Sequence, residues 1–242
     1  MDERAPGDVL PGITDSSAAH SSGTLEGQEF VDGLGFEPDR FQREAFAAFD
    51  HGSHVIVAAP TGAGKTLVAS YAVDRALARG TRVFYTTPIK ALSNQKFHDL
   101  IADYGRENVG LLTGDNVING DAPVVVMTTE VLRNMLHAGR TLDALEAVVL
   151  DEVHYLQDSY RGPVWEEVII HLPRHIQLVC LSATVSNADE LAAWMETVRG
   201  TTSLIVETQR PVELENRYLV AQKKNHRLEM IRTVVGLSLI HI

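Results

Sequence analysis

Three short stretches carry residues whose types and spacing suit them to phosphate and metal chemistry. The first is Ala59-Pro60-Thr61-Gly62-Ala63-Gly64-Lys65-Thr66, set between the apolar run 54–57 and a helical pattern over 67–73. A strand, a glycine-rich turn and a helix make the setting of a phosphate-binding loop. Gly62 and Gly64 let backbone N–H groups close around phosphate oxygens, and the helix starting near Lys65 points its positive end at the same anion. Lys65 can reach the outer phosphates, and the Thr66 hydroxyl can ligate Mg²⁺. The strict spacing would put glycine where this chain has Ala59, so the match is the variant A-x-x-G-x-G-K-T.

The second stretch, Asp151-Glu152-Val153-His154, directly follows the apolar run 147–150. Two carboxylates at a strand end downstream of a phosphate loop fit a Mg²⁺-nucleotide site. Asp151 would hold the metal and Glu152 would act as general base toward the attacking water. The third, Ser182-Ala183-Thr184, follows the apolar run 176–181. Alone it reads as a turn or cap; its position makes Ser182 or Thr184 a natural hydrogen-bond partner for His154.

The elements that must position these residues follow from periodicity. Phe41, Ala45, Phe46 and Phe49 recur at helical spacing up to His51-Gly52. Strands are expected over 54–57, 82–87, 109–112, 124–127, 147–150, 176–181, 204–206 and 216–220. Helices are expected over 91–104, 131–136, 165–172 and 189–195. Alternating β and α units imply an α/β fold with a mostly parallel sheet and helices on both faces. Ligands of such sheets sit beyond the carboxyl ends of the strands, where all three stretches fall.

The formal charge of −11 is unevenly spread: residues 1–39 hold nine acids and one base, so the body is near neutral. That body lacks the basic footprint that would announce nucleic acid by charge alone. No apolar run approaches the roughly 18 residues of a membrane span, so no membrane partner is expected. Cys180 is the only cysteine and excludes an intramolecular disulfide, which suits a cytoplasmic setting. It sits in an apolar run and reads as a small buried hydrophobe. The ten histidines are scattered, without a cluster at ligand spacing. Residues 1–28, rich in Ser, Gly, Ala and acids, are expected to be a disordered leader, with order beginning near Phe30.

Taken together, Gln42, the Ala59–Thr66 loop, Asp151-Glu152-Val153-His154 and Ser182-Ala183-Thr184 resemble the first RecA-like domain of a superfamily 2 DExH-box helicase. The resemblance is strongest to superkiller-like RNA helicases of the bacterial HelY-like branch and spans about residues 30–220. It implies a RecA-like P-loop NTPase domain over 29–208, then a linker and the start of a second domain over 209–242. It also implies ATP with Mg²⁺ as cofactors and single-stranded RNA, or DNA, as partner. Phe36 would stack on adenine and Gln42 would read its edge. His154, Ser182 and Thr184 would couple hydrolysis to movement. Pro88, Lys90 and Gln95, then Thr113 and Gly114, then Thr128, Thr129 and Glu130 match the family's strand-facing loops. Arg161-Gly162 with Trp165-Glu166-Glu167, and Gln209-Arg210-Pro211-Val212, also resemble this branch, as packing and interdomain elements. The family's γ-phosphate arginines belong to a second RecA-like domain, of which no motif set occurs here; the apolar tail 236–242 suggests truncation. A DNA helicase of the related repair type, or a nucleotide-binding fragment without turnover, are the competing readings.

Overall fold

The computed structural model describes residues 21–140, 142–159, 161–183, 187–210, 212, 217–221, 228–232, 234–235 and 238–239. The chain opens with helices α1 (Ser21–Gly33) and α2 (Arg40–Asp50), then β1 (His54–Ala58), α3 (Thr66–Arg79), β2 (Arg82–Thr87) and α4 (Lys90–Tyr104). It continues through β3 (Val109–Leu112), β4 (Val117–Ile118), β5 (Val124–Thr128), α5 (Thr129–His137) and β6 (Leu145–Leu150). After a 3₁₀ turn (Val153–Gln157) come α6 (Gly162–His171), β7 (Gln177–Ser182), α7 (Ala188–Arg199) and β8 (Thr202–Val206). Two antiparallel hairpins follow: β9 (Arg217–Ala221) with β10 (Leu228–Arg232), and β11 (Val234–Val235) with β12 (Ser238–Leu239).

Eight strands make one sheet in the order β4-β3-β5-β2-β6-β7-β1-β8. Every pairing is parallel except that of β4 with β3. Alternate residues of the central strands therefore face opposite layers. Val55, Val57, Val83, Tyr85, Val124 and Val149 pack against aromatic and aliphatic side chains of α2, α3 and α4. Ile56, Phe84, Val125, Met127, Val148 and Cys180 pack against Leu132 of α5, Trp165 of α6 and Met195 of α7. The α/β architecture expected from the alternating pattern, a mostly parallel sheet with helices on both faces, is the one observed.

Helix α1 differs from expectation. It begins at Ser21, inside the stretch 1–28 read as a disordered leader; residues 1–20 of that stretch lie outside the described residues. Its C-terminal half supplies the anchor: the Phe30 ring meets Phe46 at 5.7 Å and Tyr71 at 5.2 Å, both edge-on. A helix held by so few apolar residues gives almost no periodic signal. Beneath it, Tyr71 donates to Asp50 Oδ2 at 2.6 Å and Arg75, fully buried, reaches Asp50 Oδ1 at 3.1 Å, which fastens α3 to α2.

Two further polar anchors are internal. Arg199, buried at the end of α7, donates to the carbonyls of Ile169, Leu172, Pro173 and Ile176 and so closes the C-terminal end of α6. His54, buried on β1, accepts the Leu178 N–H at 3.0 Å through Nδ1. Burial, with Arg199 nearby, lowers its pKa to about 4. Cys180 is fully buried, and burial pushes its thiol up to about 12. Among the described residues no helix is long and apolar enough to cross a membrane.

Candidate functional site

The phosphate-loop residues leave β1 at its carboxyl end and enter α3. Gly62 and Gly64 have φ of +86° and +85°, a conformation L side chains rarely adopt. A Cβ on Gly62 would meet nothing within 4 Å, so that flank of the loop is open to a ligand. A Cβ on Gly64 would sit 2.7 Å from Gln42 Nε2. Thr61, Gly62, Gly64 and Thr66 are exposed, whereas Pro60 and Ala63 are buried beneath them. Lys65 turns its ammonium back onto the Ala59 and Pro60 carbonyls, at 2.7 and 3.0 Å. Burial lowers the Lys65 pKa, while the charges of Glu152 and Asp151 oppose that shift. The lysine and the two carboxylates thus share one field, although they come from strands separated by β7.

Asp151 sits just past β6, its N–H donating to Thr86 O at 3.0 Å. Its Oδ1 accepts the Glu152 N–H at 2.9 Å, and its Oδ2 accepts the Tyr85 hydroxyl at 2.9 Å. Glu152 has φ +54°, a left-handed conformation uncommon for a residue that carries a Cβ, and it starts the 3₁₀ turn. Its Oε2 lies 3.2 Å from His154 Nδ1. Open glycine backbone, a captive ammonium, half-exposed carboxylates whose charge reaches it and an exposed Thr66 fit a divalent metal–nucleotide complex.

The pairing expected between His154 and Ser182 is not observed. The 3₁₀ turn brings His154 back over Glu152 and stacks it on Tyr155, with centroids 5.0 Å apart. The Ser182 hydroxyl is buried and has no partner among the described residues, although Ser182 O accepts the Ala59 N–H at 3.1 Å and so ties β7 to the phosphate loop. Ser182 and His154 do line one cavity of about 310 Å³, with Leu191 and Trp194 of α7. Thr184 and Pro211 lie outside the described residues.

Phe36 and Gln42 are placed differently. Phe36 is 58% exposed beside the left-handed turn at Gly35, so its ring is open for stacking. Gln42 is buried, its Oε1 accepting the Asp39 N–H at 2.8 Å and its Nε2 donating to Gly64 O at 3.0 Å. Those two bonds fix the amide orientation, and they add a role that sequence reasoning missed: Gln42 holds the phosphate loop itself.

The three loops expected to face a strand end neighbouring strands β3, β5 and β2. They are bonded to each other. Thr129 donates to Thr87 O at 3.3 Å, and Lys90 Nζ donates to Asp115 Oδ1 and Oδ2 at 2.7 and 2.6 Å. Thr113 donates to Asp115 Oδ1 at 3.2 Å. Pro88, Thr113 and Thr129 are buried, and the Thr113 and Thr129 hydroxyls bond within this group of loops. Lys90, Gln95 and Gly114 are exposed, and Thr128 and Glu130 half-buried.

The family model for the DEAD/DEAH box helicase matches residues 39–191, from the cap of α2 into α7. The chain belongs to this helicase family. The helicase domain is 58% identical over 195 residues to the probable helicase HelY of Mycobacterium leprae, covering 80% of this chain and 21% of that protein. It is 50% identical over 182 residues to the antiviral helicase SKI2 of Saccharomyces cerevisiae, covering 74% of this chain and 14% of that protein. The chain thus spans about a fifth or less of the curated relatives described. In solved structures the helicase domain resembles the DUF1998 helicase MrfA bound to DNA, with TM-score 0.61, 22% identity and coverage of 75% of this chain and 29% of that one. The Pyrococcus furiosus Hef helicase domain matches with TM-score 0.55 at 22% identity, over 70% of this chain and 38% of that one. These two likenesses bear on the fold. Use of a nucleotide, ATP, follows from membership of the helicase family.

Proposed function

We propose that this chain is the ATP-binding motor half of an ATP-dependent RNA helicase, with single-stranded RNA as its partner and a second RecA-like domain completing the engine. The observation that carries this reading is the convergence of Lys65, Asp151 and Glu152 at the carboxyl ends of β1 and β6. Likeness to the DExH-box ATP-dependent RNA helicase DExH15 of Arabidopsis thaliana, 53% identical over 193 residues, supports the choice of RNA over DNA.

In this reading Thr66 and Asp151 would hold Mg²⁺, which would neutralise phosphate charge. Lys65 leaves the Ala59 and Pro60 carbonyls for the outer phosphates. Backbone N–H groups of residues 62–66 cradle the inner ones, and Phe36 stacks on the base. Glu152 takes a proton from the attacking water, with His154 Nδ1 3.2 Å from that carboxylate. Exposed Lys90, Gln95 and Gly114 grip sugar-phosphate without reading bases.

The test is binding of a fluorescent ATP analogue to the chain, with Lys65→Ala and Glu152→Gln beside it. Binding should tighten with Mg²⁺, fall at least tenfold in Lys65→Ala, and persist in Glu152→Gln. In a protein carrying both motor domains, Glu152→Gln should abolish RNA-stimulated turnover. Undiminished nucleotide binding by Lys65→Ala would remove the reading. Competition between matched RNA and DNA strands decides the substrate, because only RNA offers a 2′-hydroxyl.

A further inference from the structure

Tyr85 belongs to none of the stretches that first suggested chemistry, yet it is the side chain that holds Asp151 from below. It lies on β2, next to β6, and is 1% exposed. A buried tyrosine needs one acceptor, and a backbone carbonyl serves that need elsewhere in this fold: Tyr104 donates to Ser70 O at 3.1 Å. Tyr85 donates instead to Asp151 Oδ2, at 2.9 Å. With the Glu152 N–H on Oδ1, each oxygen of the carboxylate is held by one donor, so its rotation about the side-chain axis is set. The charge of this carboxylate reaches Lys65 on the phosphate loop.

The tyrosine ring has a second neighbour. Lys96 of α4 places Nζ 5.5 Å from the ring centroid, within cation–π reach. Its ammonium is 3.8 Å from Asp99 and its side chain is only 17% exposed, so it lies inward between α4 and the sheet. The preceding residue, Gln95, is exposed on the face proposed to meet the strand. Helix α4 thus touches the strand side through Gln95 and the tyrosine through Lys96.

We propose that Tyr85 is a positioning residue: its hydroxyl aims the Asp151 carboxylate at the divalent-cation site, and its ring links that carboxylate to α4 through Lys96. This rests on the reading of Asp151 as the carboxylate that would hold Mg²⁺. Partners that orient a metal-binding carboxylate matter to affinity nearly as much as the ligand does; their loss costs about 10–100-fold in metal affinity. A cation over the ring face makes the phenol a better donor, so removing it weakens the same bond by less.

The experiment is a Mg²⁺ titration of fluorescent-ATP binding by the chain and by Tyr85→Phe, Lys96→Met and Asp151→Asn, with binding in chelator and thermal unfolding measured alongside. Tyr85→Phe keeps the ring and its packing. Its Mg²⁺ midpoint should rise about tenfold or more, with metal-free nucleotide affinity unchanged. Lys96→Met should shift the midpoint in the same direction by a smaller factor. A Tyr85→Phe midpoint within about twofold of the parent, with Asp151→Asn raised, overturns the role of Tyr85 and leaves the reading of Asp151 standing. No Mg²⁺ dependence in the parent chain overturns both. An unshifted Lys96→Met overturns the link to α4.

Discussion

Replacing Gln42 by leucine tests the double attachment of the phosphate loop. Leucine fills a similar volume but removes both the acceptor of the Asp39 N–H and the donor to Gly64 O. Each such bond contributes about 1 kcal/mol net, and the groups left behind belong to exposed residues that water can reach, so the loss is about 2 kcal/mol. For a domain of this size that corresponds to a fall in Tm of about 4–8 °C, read by calorimetry. The second consequence concerns ligand binding. Gly64 lies in the turn that must present its N–H groups to phosphate, so freeing it should weaken fluorescent ATP and GTP analogues alike, by about tenfold, the effect of about 1.4 kcal/mol. The amide keeps one N–H and one lone pair for a base edge, and a base-reading contribution would add a further loss for ATP only. An unchanged Tm together with a loss confined to the adenine nucleotide would refute the loop-anchoring argument.

Three other outcomes follow from the same geometry. Arg199→Met should cost about 3 kcal/mol in chemical denaturation, because four carbonyls around the end of α6 lose their donor; Arg199→Lys should recover little, since an ammonium cannot span them. The folded pKa of His54, about 4, lies below the ordinary 6.5, so between those values the unfolded chain binds a proton that the folded chain excludes. Stability is therefore full above about pH 6.5 and falls by about 2–3 kcal/mol toward pH 4; His54→Asn should flatten that part of a Tm-against-pH curve. Asp115→Asn releases Lys90, so single-strand affinity at low salt should rise and its log–log dependence on salt should steepen by roughly 0.7.

Much of the site was legible because its chemistry is local in the chain. The phosphate loop, Asp151-Glu152 and the strands beneath them are each written within a few consecutive residues, and the alternating apolar runs place them at one edge of a parallel sheet. What stayed hidden depends on strand order. Tyr85 reaches Asp151 only because β2 lies beside β6, 66 residues away in sequence. Gln42 meets Gly64 across 22 residues, and neither partner marks the other. The direction of His154 was decided by a 3₁₀ turn of five residues, too short for a periodic signal. The burial of Thr113 and Thr129 was likewise invisible, since a hydroxyl residue at a strand end serves a cap, a ligand or a neighbouring loop equally well. Helix α1 escaped notice because its stability comes from Phe30 against rings supplied by α2 and α3.

The backbone at Glu152 adopts a left-handed shape that it shares, among the described non-glycine residues, with Asn119 and Ala144. Its φ of +54° suits glycine or asparagine and costs other residues about 1–2 kcal/mol. A random search for a sturdier chain would therefore be drawn to replace this carboxylate, and Glu152→Gly is a change that would be rewarded by any screen for heat resistance. Under the proposed role of Glu152 as general base, that backbone cost is set against turnover, and Glu152→Gly should yield a more durable but inert protein.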